Sequence, residues 1–232
     1  MINASLDRCF SYISSHTAAP NPAAAESRVR HAVTISRQAG CGGVIVAEKL
    51  ANYLQQHAPT PGKAWAIFDR DLMLKVLADH KLPAHLEKFL PEDRVSAIED
   101  TLADIFGVRP TSETLVHQTA ETIIKFAELG NVIIVGRGGN FVTAKLPHVL
   151  RVRLVAPLED RIERIIRDDH KTPADARRFC LEEEQHRARY IKTYYRADIN
   201  DPANYHLTIN TSRIGYDSAA KLLGDAVMHL GR

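Results

Sequence analysis

Two short segments pair glycines with arginine in the way phosphate chemistry uses them. In Ser36-Arg37-Gln38-Ala39-Gly40-Cys41-Gly42-Gly43, three glycines follow a β-branched run and precede a helical one. Glycines at such a junction let successive backbone N–H groups turn into one concavity at a helix N-terminus, where the helix dipole favours an anion. Arg37, Gly40, Cys41, Gly42 and Gly43 are therefore candidate phosphate contacts, although an ordinary glycine-rich turn would use the same residues. In Gly136-Arg137-Gly138-Gly139-Asn140, an arginine flanked by glycines follows four consecutive valines and isoleucines. From there its planar fork can reach over a sheet edge and grip a phosphate bidentately.

Set against the phosphate-loop pattern G-x-x-x-x-G-K-[ST], the first segment departs at three places. With Gly42 as the second pattern glycine, Arg37 replaces the first glycine, Gly43 the lysine and Val44 the hydroxyl residue. A backbone nest survives those changes. The lysine that meets the β and γ phosphates and the hydroxyl that holds magnesium do not, so a cation has to come from elsewhere. Cys41, at a helix N-terminus among N–H groups, is expected to have a lowered thiol pKa. On composition alone, Arg187, Arg189, Lys192 and Arg196 read first as a basic stripe on a solvent-facing helix. His31, His117 and His186 have no matched partners and no metal ligands are assigned.

These loops need strands and helices to hold them. The sequence predicts strands over 32–36, 64–68, 131–135, 149–155 and 205–210. Helices are predicted over 44–56, from Leu72 through Leu77, about 92–106, from Thr111 to a stop at Gly130, 157–196 with a break near Lys171-Thr172-Pro173, and 216–230. Strands alternating with helices argue for a parallel sheet covered on both faces, with ligands at the carboxyl ends of the strands. Leu6, Phe10 and Ile13 at spacings of three and four predict a short amphipathic helix within 3–15, followed by a Pro/Ala linker over 17–27. Residues 1–28 thus form an appendage whose apolar face could close a homodimer, and residues 29–232 the main domain.

The 232 residues are 45% hydrophobic and 25% charged, a globular composition that excludes disorder and fibrous repeats for the whole. Thirty Lys and Arg against 28 Asp and Glu leave +2, which announces neither nucleic acid nor a membrane surface. Any anion site is local. Residues 159–196 hold 10 basic and 9 acidic residues, and this interleaving argues against nucleic acid as partner. Three widely spaced cysteines suggest neither a disulfide framework nor zinc, and fit the cytoplasm. Apolar runs are too short for a bilayer, and Asp7 and Arg8 interrupt the only leader-like stretch.

Four segments, in order, resemble the cytidylate kinase-like proteins within the nucleoside monophosphate kinases. They are Val33–Gly43, Phe68-Asp-Arg-Asp-Leu72, Val132–Asn140 and Asp201–Thr211, and the resemblance spans about residues 31 to 230. It implies a five-stranded parallel phosphate-loop (P-loop) sheet, ATP with Mg2+ at the first loop and a nucleoside monophosphate opposite. It also implies a mobile lid over about 159–196. Carried over by residue, Arg137 would hold acceptor phosphate, Asp69 and Arg70 would border the acceptor, and Arg161 with Arg164 would begin the lid. Cytidylate kinases carry Arg-x-x-x-Asp-x-x-Arg there. In this chain Glu184-x-x-Arg187 matches the second half, Cys180 stands in the first arginine's place, and Arg189 competes with Arg187. Val135 replaces an acidic residue before Gly-Arg. The resemblance implies phosphoryl transfer from ATP, with Arg161, Arg187 and Arg189 as the catalytic cations; the alternative is a nucleotide sensor that keeps the cradle without turnover.

Overall fold

The computed structural model describes residue 12 and residues 31–57, 64–69 and 115–230. The β-branched runs form a five-stranded, wholly parallel sheet of β1 (Ala32–Arg37), β2 (Ala66–Phe68), β3 (Val132–Val135), β4 (Val149–Val155) and β5 (Leu207–Asn210). Their order across the sheet is β2-β3-β1-β4-β5. Both glycine loops therefore leave the middle of the sheet, because β1 and β3 are neighbours paired Ala32 to Val132 through Ile35 to Val135. All four residues of β3 are buried, as expected of a strand covered on both sides.

Alternate residues feed two cores. Val33, Ile35, Ile133, Val135, Val152 and Leu154 pack against α1 (Gly43–His57) and α7 (Tyr216–His229). Ala32, Val132, Ile134 and Phe68 face α2 (Leu115–Leu129). Gly130, with φ 74°, ends α2 two residues before β3 begins at Val132. Two four-residue helices escape the sequence pattern: α3 (Gly139–Val142) after β3 and α6 (Thr211–Ile214) after β5. The region after β4 divides into α4 (Leu158–Asp169) and α5 (Pro173–Tyr195). The division falls where the sequence placed it: Thr172 caps α5 by accepting from the Asp175 N–H, and Pro173 opens it.

Tyr12, from the segment expected to stand apart, is 4% exposed and packs edge-on against Phe68 and Phe126. Its hydroxyl donates to the Gly130 carbonyl. The main core therefore includes at least one residue from before the linker. The helices predicted after β2, over 72–77 and 92–106, lie outside the described residues, as does the rest of 1–30. No helix among the described residues is long and apolar enough to cross a membrane.

Candidate phosphate-binding site

The first loop is built by what its glycines touch. Gly40 and Gly42 have φ of 76° and 71°, and a Cβ would stand 2.7 Å from the Arg161 carbonyl oxygen at Gly40 and 2.5 Å from the Tyr216 ring at Gly42. Side chains are excluded at both places by conformation and by space. The Gln38 N–H extends the ladder by donating to the Leu154 carbonyl, and Gln38 Oε1 accepts from the Ala156 N–H. The loop is thus pinned to the end of β4 before α1 begins. Cys41 is fully buried in the core under the loop, and burial pushes its thiol up to about 11. That reverses the lowering expected from a helix N-terminus, because desolvation of the thiolate outweighs the nearby arginines.

The second loop leaves β3 at Gly136, whose N–H donates to the Ile35 carbonyl. Gly138, with φ 79°, caps α3, and a Cβ there would meet the Tyr195 hydroxyl at 2.7 Å. Arg137 stands between these glycines with its guanidinium 5.5 Å from the centre of the Tyr190 ring. Tyr195 in turn stacks on Phe141 of α3 at 5.3 Å, and its phenol is pushed up by burial.

The long helix α5 faces both loops. Glu184 pairs with Arg161 at 2.8 Å. One turn on, Arg187 Nη1 donates to the Arg37 carbonyl at 2.6 Å while its other nitrogens hold Glu183. Tyr190 then meets Arg137 and Tyr195 meets Gly138. Arg189 is exposed on the other side of the helix. Arg161 is buried, with Nε donating to the Ala156 carbonyl and Nη1 to the Ala39 carbonyl. Arg164 donates to the Gly40 carbonyl, Thr211 and Ser212, with its guanidinium over Tyr216. These two arginines strut the first loop from behind. Cys180, aligned with a family arginine, is fully buried beside Ala176 and Ile162.

Between the loop and α5 lies a cavity of about 220 Å³ lined by Arg37, Gln38, Arg153, Glu184, Arg187 and Asn200, among others. Arg37 has its pKa lowered to about 10, first by burial and then by the charges of Arg187 and Arg137, with Glu183 and Asp69 partly offsetting. Asp69 follows β2 and is half-buried; Arg70 lies outside the described residues. Sequence reasoning missed three groups here. Arg153 was read only as an alternating strand residue, although its buried guanidinium donates to Ser36 and Asn200. Tyr190 and Tyr216 carried one signal each: Tyr190 stands three residues after Arg187 on the same helix face, and Tyr216 directly follows Gly215.

Val44, 43% exposed, offers no oxygen where a P-loop has its magnesium-holding hydroxyl, so the first loop fits the phosphates better than the metal. The sequence of a cytidylate kinase from Methanoregula boonei is 33% identical over 101 residues, 43% of this chain and 54% of that protein. One from Methanopyrus kandleri is 36% identical over 109 residues, 44% of this chain and 56% of that protein. The chain spans about half the length of these curated relatives. Among solved structures, an uncharacterized protein from Eubacterium ventriosum superposes with a TM-score of 0.65 at 18% identity, over 86% of this chain and 99% of that one. The pattern of the cytidylate kinase-like family matches residues 32–213, from β1 through α6, and the chain belongs to that family.

Proposed function

We propose that the protein transfers a phosphoryl group from ATP to a small acceptor, a nucleoside monophosphate being the acceptor class the family suggests. One observation carries this reading: α5 lies along both glycine loops, with its Arg187 donating to the Arg37 carbonyl and its Tyr190 beneath Arg137, so that three arginines gather at the carboxyl ends of β1 and β3. Phosphoryl transfer asks for positioning and for fixed positive charge around the moving group, and needs little else from the protein. In this reading Gly40–Gly43 cradle the donor phosphates, Arg137 holds the acceptor phosphate with Asp69 and Arg70 beside it, and Arg187 contacts the group in transit. Arg161 positions the loop. An acceptor oxygen attacks the terminal phosphorus, the bond from that phosphorus to the bridging oxygen breaks, and ADP leaves. Any magnesium would be held by phosphate oxygens and water, since Val44 offers it no hydroxyl.

The experiment is acceptor-dependent ADP release with ATP and magnesium, across nucleoside monophosphates. Turnover above the ATP-only background with at least one acceptor is the expected result. A second reading, a nucleotide sensor, is favoured by Gly43 and Val44 standing in place of lysine and hydroxyl. ATP binding with no turnover on any acceptor would select it.

A further inference from the structure

Arg137 is a long side chain on a loop that does little to aim it. Gly136 before it offers no side chain, and a Cβ there would meet nothing within 4 Å; Gly138 after it has a φ of 79°. Like charge also pushes on it, since Arg37 is near enough for the two guanidinium groups to repel each other. Against both effects the Tyr190 ring lies 5.5 Å from the guanidinium carbon and presents the negative face of its π system. That ring is itself held. Tyr190 stands one turn after Arg187, whose hydrogen bond to the Arg37 carbonyl anchors α5. The Tyr195 hydroxyl donates to the Tyr190 hydroxyl, with ring centres 6.1 Å apart. Tyr195 in turn stacks on Phe141 and fills the space that Gly138 leaves by having no Cβ. The contacts close a circuit, from Arg137 to Tyr190, to Tyr195, to Gly138, and back to Arg137 through the chain.

We infer that Tyr190 is the positioning residue for Arg137, setting the aim of its fork towards an acceptor phosphate, and that Tyr195 locks Tyr190 in register with the second loop. The π face does the holding, and the hydroxyl ties Tyr190 to Tyr195. A guanidinium aimed in advance leaves less ordering to be done when the acceptor arrives, so the device tightens the acceptor and not the donor. This role rests on the reading of Arg137 as an acceptor-phosphate contact, but it does not require turnover.

Two measurements on the full chain test it. The first is proton–nitrogen NMR with isotope-labelled arginine, the Arg137 Nε–H being assigned by its loss in Arg137→Gln. In the parent this signal should be restrained and shifted upfield by the ring current; Tyr190→Leu should release it to the averaged position of exposed arginines, and Tyr190→Phe should keep it in place. The second is calorimetric titration with each of the four ribonucleoside monophosphates. At least one should bind the parent saturably, with its Kd raised about fivefold to tenfold by Tyr190→Leu and less than about twofold by Tyr190→Phe. In the Arg137→Gln protein, where the ring has nothing to aim, Tyr190→Leu should add less than about twofold. An Arg137 signal that Tyr190→Leu leaves unshifted, a monophosphate affinity that it leaves unchanged, or an equal loss with and without Arg137 overturns the proposal, and so does a parent that binds no monophosphate. If Tyr190→Leu does not unfold cooperatively, Tyr190→Met takes its place under the same criteria. Binding that responds as expected in a protein with no acceptor-dependent ADP release would sink the kinase reading and leave this one standing; turnover with Tyr190→Leu without effect would do the reverse.

Discussion

Arg187 and Arg189 are two positions apart on one helix, which sets them about 200° apart around its axis. Only one can face the first loop, and the hydrogen bond to the Arg37 carbonyl shows that it is Arg187. Composition could not choose between them, because the phase of a helix full of charges is not written in its charges. We predict that Arg187→Ala lowers kcat/KM for phosphoryl transfer about tenfold to a hundredfold, while Arg189→Ala stays within about twofold of the parent, measured by steady-state kinetics. Arg137 is tested by a change of shape at constant charge: Arg137→Lys should raise the acceptor KM about tenfold and leave the ATP KM unmoved. Cys41 carries a prediction of the opposite kind. With its thiol pushed up to about 11 by burial, it should resist alkylation at pH 8 in the folded protein and react on unfolding, as read by mass spectrometry of the labelled peptides. The sign of its pH effect follows. A thiol kept neutral in the fold stabilises it fully below the ordinary thiol value, and that contribution is lost as pH rises from about 9 towards about 11, so Cys41→Ala should flatten the alkaline limb of the stability curve.

Elements were legible in the sequence where one physical preference acted over enough residues. Val132–Val135 announced a doubly covered strand, Gly130 a helix stop and Lys171-Thr172-Pro173 a break, and each stands where its chemistry put it. The four-residue helices after β3 and β5 were not legible, since a single turn has no periodicity to detect. Burial of Arg153 and Arg161 was hidden for another reason: each depends on a partner from a distant segment, Asn200 for the first and Glu184 for the second. Tyr12 is the same case at the N-terminus. Local pattern separated it from the domain by a Pro/Ala stretch, yet its ring completes an aromatic cluster with Phe68 and Phe126. Truncating a buried aromatic side chain costs ~3–5 kcal/mol, and losing one hydroxyl contact ~1 kcal/mol. Tyr12→Ala should therefore lower unfolding free energy several times more than Tyr12→Phe in urea titrations, and equal transitions for both would show that the N-terminal segment contributes nothing to the core.

Taken as a whole, the molecule is organised around α5, whose 23 residues span about 34 Å at 1.5 Å each. That length lets one rigid element meet the first loop through Glu184 and Arg187, and the second through Tyr190 and Tyr195. The loops themselves are joined through neighbouring strands β1 and β3, so a shift of either one is felt by the same helix. A ligand that seats one loop against α5 should then leave less ordering to be done when the other loop is filled. This is positive coupling, and linkage makes it reciprocal: the factor by which an acceptor tightens ATP must equal the factor by which ATP tightens the acceptor. Coupling of this kind commonly amounts to ~1–3 kcal/mol, or about fivefold and upward. Tyr190 brings α5 against Arg137, and it lies outside the first loop. Tyr190→Leu should therefore bring both factors towards one while changing the affinity for ATP alone by less than about twofold. Measured by calorimetry with a non-hydrolysable ATP analogue, each ligand titrated with and without the other, unequal factors would show that a third state intervenes. Coupling that survives Tyr190→Leu undiminished would place its route in the β1–β3 pair and not in the helix.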